Sequence, residues 1–134
     1  MKRLVFDLDN TLTVEGSGDY ADVSPRMDMI EKLREYKDSG FEIIISTSRN
    51  MRTYNASVGK INANTLPVIL HWLAKHKVPF DEIHVGKPWC GTHGFYIDDK
   101  SIRPSEFRNL SYDKIIQLLE KEKQHANCYM RSVR

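Results

Sequence analysis

The pattern of apolar and polar positions along the chain predicts strands that alternate with helices. Short apolar runs predict buried strands at residues 4–6, 41–45, 82–85 and 95–97. Apolar residues at helical spacing predict helices over about residues 26–39, after Thr65 and after Ser111. This order predicts an α/β fold, a three-layer Rossmann-like parallel sheet with helices on both faces.

The helical spacing also predicts which side chains face the core. They are Met27, Ile30, Leu33 and Tyr36 on the first helix, Leu66, Ile69, Leu70 and Leu73 on the second, and Ile115, Ile116, Leu118 and Leu119 on the last. Thr65 is expected to cap the second helix, with Pro67 in its first turn. Gly40 is placed to end the first helix.

The segments between these elements differ in character. Residues 14–25 carry two glycines and a proline and predict a loop or small hairpin. Residues 50–63 are polar and predict a long connection, and long ordered loops are often functional. The last residues, 124–134, lack periodicity and predict a frayed tail after a single domain at 1–123.

Composition narrows the class of protein. Hydrophobic residues make up 40% and charged residues 28%, which predicts a soluble globular chain. The net charge of +2 is too small to indicate nucleic-acid binding. Cys90 and Cys128 lack the spacing of a metal site and are expected to be free thiols in a reducing cytoplasm. No signal peptide or membrane span is predicted.

Polar side chains follow each predicted strand at the point where it ends. They are Asp7 and Asp9 after the first, Thr47, Ser48 and Arg49 after the second, Lys87 after the third, and Asp98 and Asp99 after the fourth. Because the carboxyl ends of parallel strands share one edge of a sheet, we expect these groups to converge on one crevice.

Acid pairs beside a hydroxyl and a lysine indicate a divalent cation next to an oxyanion. Mg²⁺ is held by carboxylates, carbonyls and water, and clustered carboxylates repel unless a cation offsets them. Lys and Thr supply the donors that a transferring phosphoryl group requires, and a carboxylate can act as its nucleophile. Each group alone has an ordinary explanation as a cap, a turn or a surface residue. Their order at successive strand ends favours phosphoryl transfer.

The order Asp7-Leu8-Asp9-Asn10-Thr11, then Thr47, Lys87 and Asp98-Asp99, resembles the four motifs of the haloacid-dehalogenase-like phosphatases. The resemblance covers about residues 3–103. The stretches SRNMRTYNASVGKIN and VGKPWCGTHGFYIDD are similar to a small group of capless members described as capsular polysaccharide biosynthesis phosphatases.

The resemblance implies a role for each motif residue. Asp7 would attack phosphorus, and Asp9 would act as general acid and base. Mg²⁺ would be held by the Asp7 carboxylate, the Asp9 main-chain carbonyl and Asp99, with Asp98 ligating through water or orienting Lys87. Thr47 and Lys87 would bind phosphoryl oxygens.

A chain without a large cap implies an open site, for a large substrate or one covered by a neighbouring subunit of a homo-oligomer. The expected substrate is a sugar or polyol phosphate. The residues expected to contact it are Asn10, Thr11, Ser48, Arg49, Arg52 and Lys60. Trp89 and His93 are further candidates for the pocket.

Three alternatives remain open at this stage. A polynucleotide 3'-phosphatase or nucleotidase shares the chemistry, although the weak net charge counts against it. A receiver-like signalling domain uses similar residues, but its acid pair comes first and its acceptor aspartate later. A domain without activity, retained for binding, is the third.

Overall fold

The computed structural model of the chain describes residues 1–132, which form two compact units, Met1–Trp89 and a second that begins at Cys90. The first unit contains β1 (Arg3–Phe6), α1 (Met27–Asp38), β2 (Glu42–Ser46), α2 (Val58–Asn64), α3 (Leu66–Lys75) and β3 (Glu82–His84). The second contains α4 (Pro104–Asn109) and α5 (Tyr112–Ser132). The chain is therefore a mixed α/β protein.

The three strands form one parallel sheet in the order β1-β2-β3. Phe6 pairs with Ile45, and Ile45 pairs with Ile83, so the three strands end close to the same edge. The central strand is the most buried, because Ile43, Ile44 and Ile45 are all within the core. The predicted positions of these strands are confirmed within one residue at each end.

The predicted fourth strand is wrong. Residues 95–97 are irregular, and Phe95 and Ile97 are 76% and 89% exposed. Within residues 1–132 the sheet has three strands rather than the four expected. A three-residue apolar run has strand propensity but does not specify a pairing partner, and strands form only by pairing.

The buried faces of α1 and α3 follow the predicted pattern except at single positions. Met27 and Leu70 are exposed, whereas Met29 and Trp72 are buried. Of the other predicted core positions, Ile30, Leu33 and Tyr36 on α1 and Ile69 and Leu73 on α3 are buried as predicted. The indole Nε1 of Trp72 donates a 2.8 Å hydrogen bond to the carbonyl of Val23, which satisfies the polar atom of this buried ring.

The predicted connection at 50–63 is in part a helix. Residues 51–56 are turns, and α2 then begins after Ser57, whose hydroxyl accepts a hydrogen bond from the Lys60 N–H at 3.4 Å. Gly59 and the asparagines lower the helix propensity of this segment, so the sequence pattern did not predict the helix. The fully buried Ile61 anchors it instead.

Three further details differ from the sequence predictions. Thr65 precedes α3 without making a side-chain cap, and its hydroxyl donates instead to Asn50 Oδ1 at 2.7 Å. The short α4 was not predicted. α5 continues to Ser132, so the frayed tail predicted at 124–134 is wrong for residues 124–132, while residues 133–134 lie outside the described residues. The helix buries Ile115, whereas Ile116 is 43% exposed.

Candidate functional site

The turn after β1 is fixed by its backbone. The carbonyl of Leu8 accepts hydrogen bonds from the N–H groups of Thr11 at 3.3 Å and Leu12 at 2.9 Å. Asn10 has a φ of 64°, a left-handed conformation that asparagine tolerates better than most residues. Leu8 and Leu12 are fully buried and anchor this turn. The turn therefore holds Asp7 and Asp9 at the end of the strand.

Asp7 lies between two donors. Its Oδ2 accepts a 3.1 Å hydrogen bond from the Thr11 hydroxyl, and its Oδ1 is 3.8 Å from Lys87 Nζ. Burial raises the pKa of Asp7 above its usual value, and the charge of Asp9 adds to this, whereas Lys87 and Thr11 lower it. The carboxylate of Asp7 is therefore incompletely compensated by its neighbours.

Asp9 is bound by Arg49. Arg49 donates from Nη2 to Asp9 Oδ1 at 2.6 Å and from Nε to Oδ2 at 3.1 Å, which is a bidentate ion pair. The Arg49 side chain is 1% exposed and that of Asp9 is 30% exposed. Among residues 1–132, the buried Nη1 of Arg49 has no hydrogen-bond partner. Arg49 therefore retains a donor that a bound anion could use.

The loop at 14–25 reaches this ion pair. The ring centroid of Tyr20 lies 4.1 Å from the guanidinium carbon of Arg49, within the range of a cation–π contact. The loop is closed at its base by a bridge between Thr13 and Pro25. The sequence did not predict the contacts of Arg49 with Tyr20 or Asp9, because neither long-range contact has a local sequence signal.

Thr47 joins the ends of β2 and β3. Its N–H donates to the carbonyl of His84 at 2.9 Å, and its own carbonyl accepts from the Lys87 N–H at 3.1 Å. Its side-chain oxygen accepts from the Arg49 N–H at 3.1 Å, an interaction that leaves the hydroxyl hydrogen able to donate elsewhere. Thr47 thus positions the backbones of both Arg49 and Lys87.

Gly86, the residue before Lys87, is in close contact with α2. It has a φ of 84°, and a Cβ at this position would lie 2.9 Å from Cγ2 of Val58. A side chain would be strained here for both reasons. The close contact with α2 therefore requires glycine next to Lys87.

An open cavity of about 360 Å³ lies on the same unit, lined by Met51, Arg52, Asn55, Ala56 and Trp89. The guanidinium carbon of Arg52 is 5.8 Å from the Trp89 ring centroid. The predicted substrate contact Arg52 is thus part of a cavity, together with Trp89.

The other predicted substrate contacts have less defined surroundings. Asn10 is exposed, Ser48 is half-buried, and Lys60 is exposed on α2. His93 is exposed in the second unit. A role in substrate binding stays a prediction for these residues.

Asp98 and Asp99 belong to the second unit and precede α4. Asp98 Oδ1 accepts a 2.9 Å hydrogen bond from the Lys100 N–H, and this bond, more than any other contact, lowers the pKa of Asp98. Within residues 1–132, no group of three or more His, Cys, Asp or Glu side chains is arranged to hold a metal ion. The metal-binding roles of Asp98 and Asp99 stay predictions.

One further property concerns the helices. In the part of the chain described here, none is both long enough and apolar enough to cross a membrane.

Comparison with known proteins identifies a relative of known structure. The crystal structure of a structural-genomics target from Vibrio cholerae is similar to this chain, with a TM-score of 0.89 and 62% sequence identity. The match covers 91% of this chain and 99% of that one. The chain belongs to the same family as this Vibrio cholerae protein. No family model and no curated protein matches the chain.

Proposed function

We propose that the protein is a Mg²⁺-dependent phosphomonoester hydrolase that acts through an aspartyl-phosphate. The supporting observation is the position of Asp7 at the end of a parallel strand, with Lys87 Nζ 3.8 Å from Oδ1 and the Thr11 hydroxyl 3.1 Å from Oδ2. These contacts support a role for Asp7 as the nucleophile, with Lys87 and Thr11 as donors for the phosphoryl oxygens. The proposal includes a haloacid-dehalogenase-like fold for the whole chain.

The first chemical step is attack by Asp7. One of its carboxylate oxygens forms a bond to phosphorus while the bond from phosphorus to the ester oxygen breaks. Asp9 gives a proton to the departing oxygen, so the alcohol leaves neutral. Lys87 lies close enough to the Asp7 carboxylate to offset charge on the transferring group, which is the main demand of phosphoryl transfer.

The second step releases phosphate. Asp9, now ionised, takes a proton from a water molecule whose oxygen attacks phosphorus, and the bond from Asp7 to phosphorus breaks. Arg49 donates to both carboxylate oxygens of Asp9. When Asp9 carries a proton, the hydrogen bond from Arg49 to the protonated oxygen must break. The buried Nη1 of Arg49 is a further donor for a phosphoryl oxygen.

The chemistry of the Asp7 turn is compatible with a magnesium ion. Burial raises the pKa of Asp7, which indicates a carboxylate whose charge a cation would stabilise. The resemblance implies the main-chain carbonyl of Asp9 as a ligand, and the hydrogen bonds of its carboxylate with Arg49 are compatible with that role. The Asp7 carboxylate and the Asp9 carbonyl would hold the ion in this unit, and the resemblance adds Asp99 as a ligand and Asp98 as a ligand through water. When bound, Mg²⁺ would neutralise charge on the phosphoryl oxygens.

The proposed substrate is a sugar or polyol phosphate used in capsular polysaccharide or other carbohydrate biosynthesis. The loop at 14–25 is too short for a separate cap domain and is closed at its base by the Thr13–Pro25 bridge. An open site of this kind admits a bulky leaving group, or one covered by a second copy of the chain.

A screen of phosphate release tests the function. Purified protein is assayed on sugar, polyol and nucleotide monophosphates and on 3'-phosphorylated oligonucleotides, with Mg²⁺ and with a chelator. We expect sustained, Mg²⁺-dependent release that is fastest with sugar or polyol phosphates. Faster release from 3'-phosphorylated oligonucleotides would favour a polynucleotide phosphatase. A stable phosphoprotein without turnover would favour a receiver-like domain.

A further inference from the structure

The cavity lined by Met51, Arg52, Asn55, Ala56 and Trp89 contains positive charge and no negative charge. Its volume of about 360 Å³ lies at the lower end of the range for small-molecule pockets, roughly 300–1,000 Å³. Arg52 is its charged group, and the five lining side chains include no acid. The cavity therefore suits a small anionic molecule.

Trp89 supplies an aromatic face in this cavity. It is 44% exposed, an unusual state for the largest apolar side chain, and the Arg52 guanidinium carbon lies 5.8 Å from its ring centroid. An indole face packs against the C–H face of a sugar ring, and a nearby guanidinium binds carboxylate or phosphate oxygens in pairs. Together the two side chains can recognise a ring and a charge.

The wall of the cavity is held in a strained backbone conformation. Asn55 and Ala56 have φ values of 49° and 62°, and for Ala56 the left-handed conformation costs about 1–2 kcal/mol. A 2.8 Å hydrogen bond from the Ala56 N–H to the Met51 carbonyl closes this turn. Strain of this kind persists where the surrounding structure maintains it, and it is frequent at ligand sites.

The cavity is next to Lys87 along the chain. Trp89 follows Lys87 by two residues, and since consecutive Cα atoms are 3.8 Å apart, their Cα atoms are within about 7.6 Å. Arg52, which also lines the cavity, follows Arg49 by three residues. This short chain distance allows a molecule whose phosphoryl group lies at Asp7 and Lys87 to reach the cavity with the rest of its structure.

We propose that the Arg52–Trp89 cavity binds the leaving group and selects a sugar phosphate with a second anionic group, a carboxylate or another phosphate. The inference rests on the proposed phosphatase activity and deepens it. The sugar ring packs on Trp89, and the second anion binds Arg52. Reaction at Asp7 is unchanged by these contacts, so their effect falls on KM more than on kcat.

Kinetics of Arg52→Gln and Trp89→Ala test the cavity. The substrates are a glycuronic acid phosphate, a sugar bisphosphate, a neutral sugar phosphate and acetyl phosphate, which lacks a sugar. We expect Arg52→Gln to raise KM for one or both acidic sugars by about tenfold to a hundredfold, the scale of a lost charge-assisted contact, and to spare the neutral sugar and acetyl phosphate. The acidic sugar affected identifies the second anion as carboxylate or phosphate. The exposed Arg131→Gln is the matched control.

Trp89 also gives a readout that does not depend on turnover. Of the two tryptophans, Trp72 is buried and hydrogen-bonded to Val23, so a change in fluorescence on adding the acidic sugar product reports on Trp89. We expect saturable quenching that Arg52→Gln weakens by a similar factor and that Trp89→Phe removes.

The outcomes separate this inference from the proposed function. Hydrolysis of all the substrates with no preference for acidic sugars, and no effect of Arg52→Gln, would overturn the cavity's role and leave the phosphatase intact. Absence of phosphate release from every compound, acetyl phosphate included, would overturn the phosphatase and the leaving-group role with it.

Discussion

Arg49 binds both carboxylate oxygens of Asp9, at 2.6 Å and 3.1 Å, from a side chain that is almost wholly buried. Asp7, two residues earlier, is in the opposite situation, because burial outweighs its compensating contacts and raises its pKa. The two acids of the same turn thus differ in their contribution to stability.

This contrast predicts opposite effects of the same substitution. Asp9→Asn leaves the buried charge of Arg49 uncompensated and should lower the free energy of unfolding by about 2–3 kcal/mol, below the range for fully buried pairs because Asp9 is partly exposed. Asp7→Asn removes a charge that the fold disfavours and should leave stability unchanged or raise it. Urea denaturation at pH 7 with a chelator measures both. Equal losses for the two variants would contradict this account of the turn.

Gly86→Ala should destabilise the protein more than Gly16→Ala does. Both glycines have a left-handed φ, 84° and 69°, so both variants incur about 1–2 kcal/mol of backbone strain. Only at Gly86 does the new Cβ approach another group, Val58 Cγ2 at 2.9 Å, whereas Gly16 has nothing within 4 Å.

The double variant Gly86→Ala with Val58→Ala isolates the steric part. Removing Cγ2 should bring the loss in unfolding free energy, relative to Val58→Ala alone, down to that of Gly16→Ala. No recovery in the double variant would mean that Val58 does not determine the requirement for glycine.

Asp81 makes stability depend on pH. Its carboxylate accepts hydrogen bonds from Lys37 Nζ at 2.7 and 2.8 Å and from the Ile43 N–H at 2.8 Å, and Lys37 is the main cause that lowers the pKa of Asp81 from its ordinary value of 3.8. A lowered folded-state pKa means that this stabilisation is complete above the unfolded pKa and is lost as the pH falls through the folded one.

We therefore expect Asp81→Asn to be less stable than the unaltered protein at pH 7 and the difference to shrink below pH 3.8. Urea denaturation across this range gives the free energy of unfolding of each protein. Lys37→Met should show the same trend, since it removes the partner. A difference that stayed constant down to the acid limit would contradict the assignment.

Lys87→Ala should lower kcat/KM by at least roughly a hundredfold, the scale for losing one donor to a transferring group. The control is Lys75→Ala, an exposed lysine in the last turn of α3. A loss smaller than about fivefold, on the same scale, would make Lys87 an ordinary surface residue.

The local pattern of apolar residues was enough to predict the three strands of the sheet and the side chains that follow them. Continuous apolar runs located β1, β2 and β3, and the strand-end argument predicted that Lys87 approaches Asp7, although they are 80 residues apart. Asp7 and Lys87 meet because both follow strands of one parallel sheet.

Other features depend on packing that a single sequence does not encode locally. The α2 helix is anchored by Ile61 and a Ser57 cap against poor helix propensity. The run at 95–97 has strand propensity and forms no strand. Arg49 was expected to contact phosphate, but its ion pair with Asp9 and its contact with Tyr20 depend on tertiary structure.

Chemical trapping of the phosphorylated residue tests the central claim most directly. The protein is mixed with Mg²⁺ and a substrate found in the phosphate-release screen, quenched in acid within one turnover, and treated with borohydride, which reduces an aspartyl-phosphate to homoserine. Peptide mass spectrometry then locates the product. We predict homoserine at Asp7 alone, and neither homoserine nor phosphate release with Asp7→Asn. Homoserine at Asp9, Asp98 or Asp99, or sustained release from Asp7→Asn, would contradict the proposed mechanism.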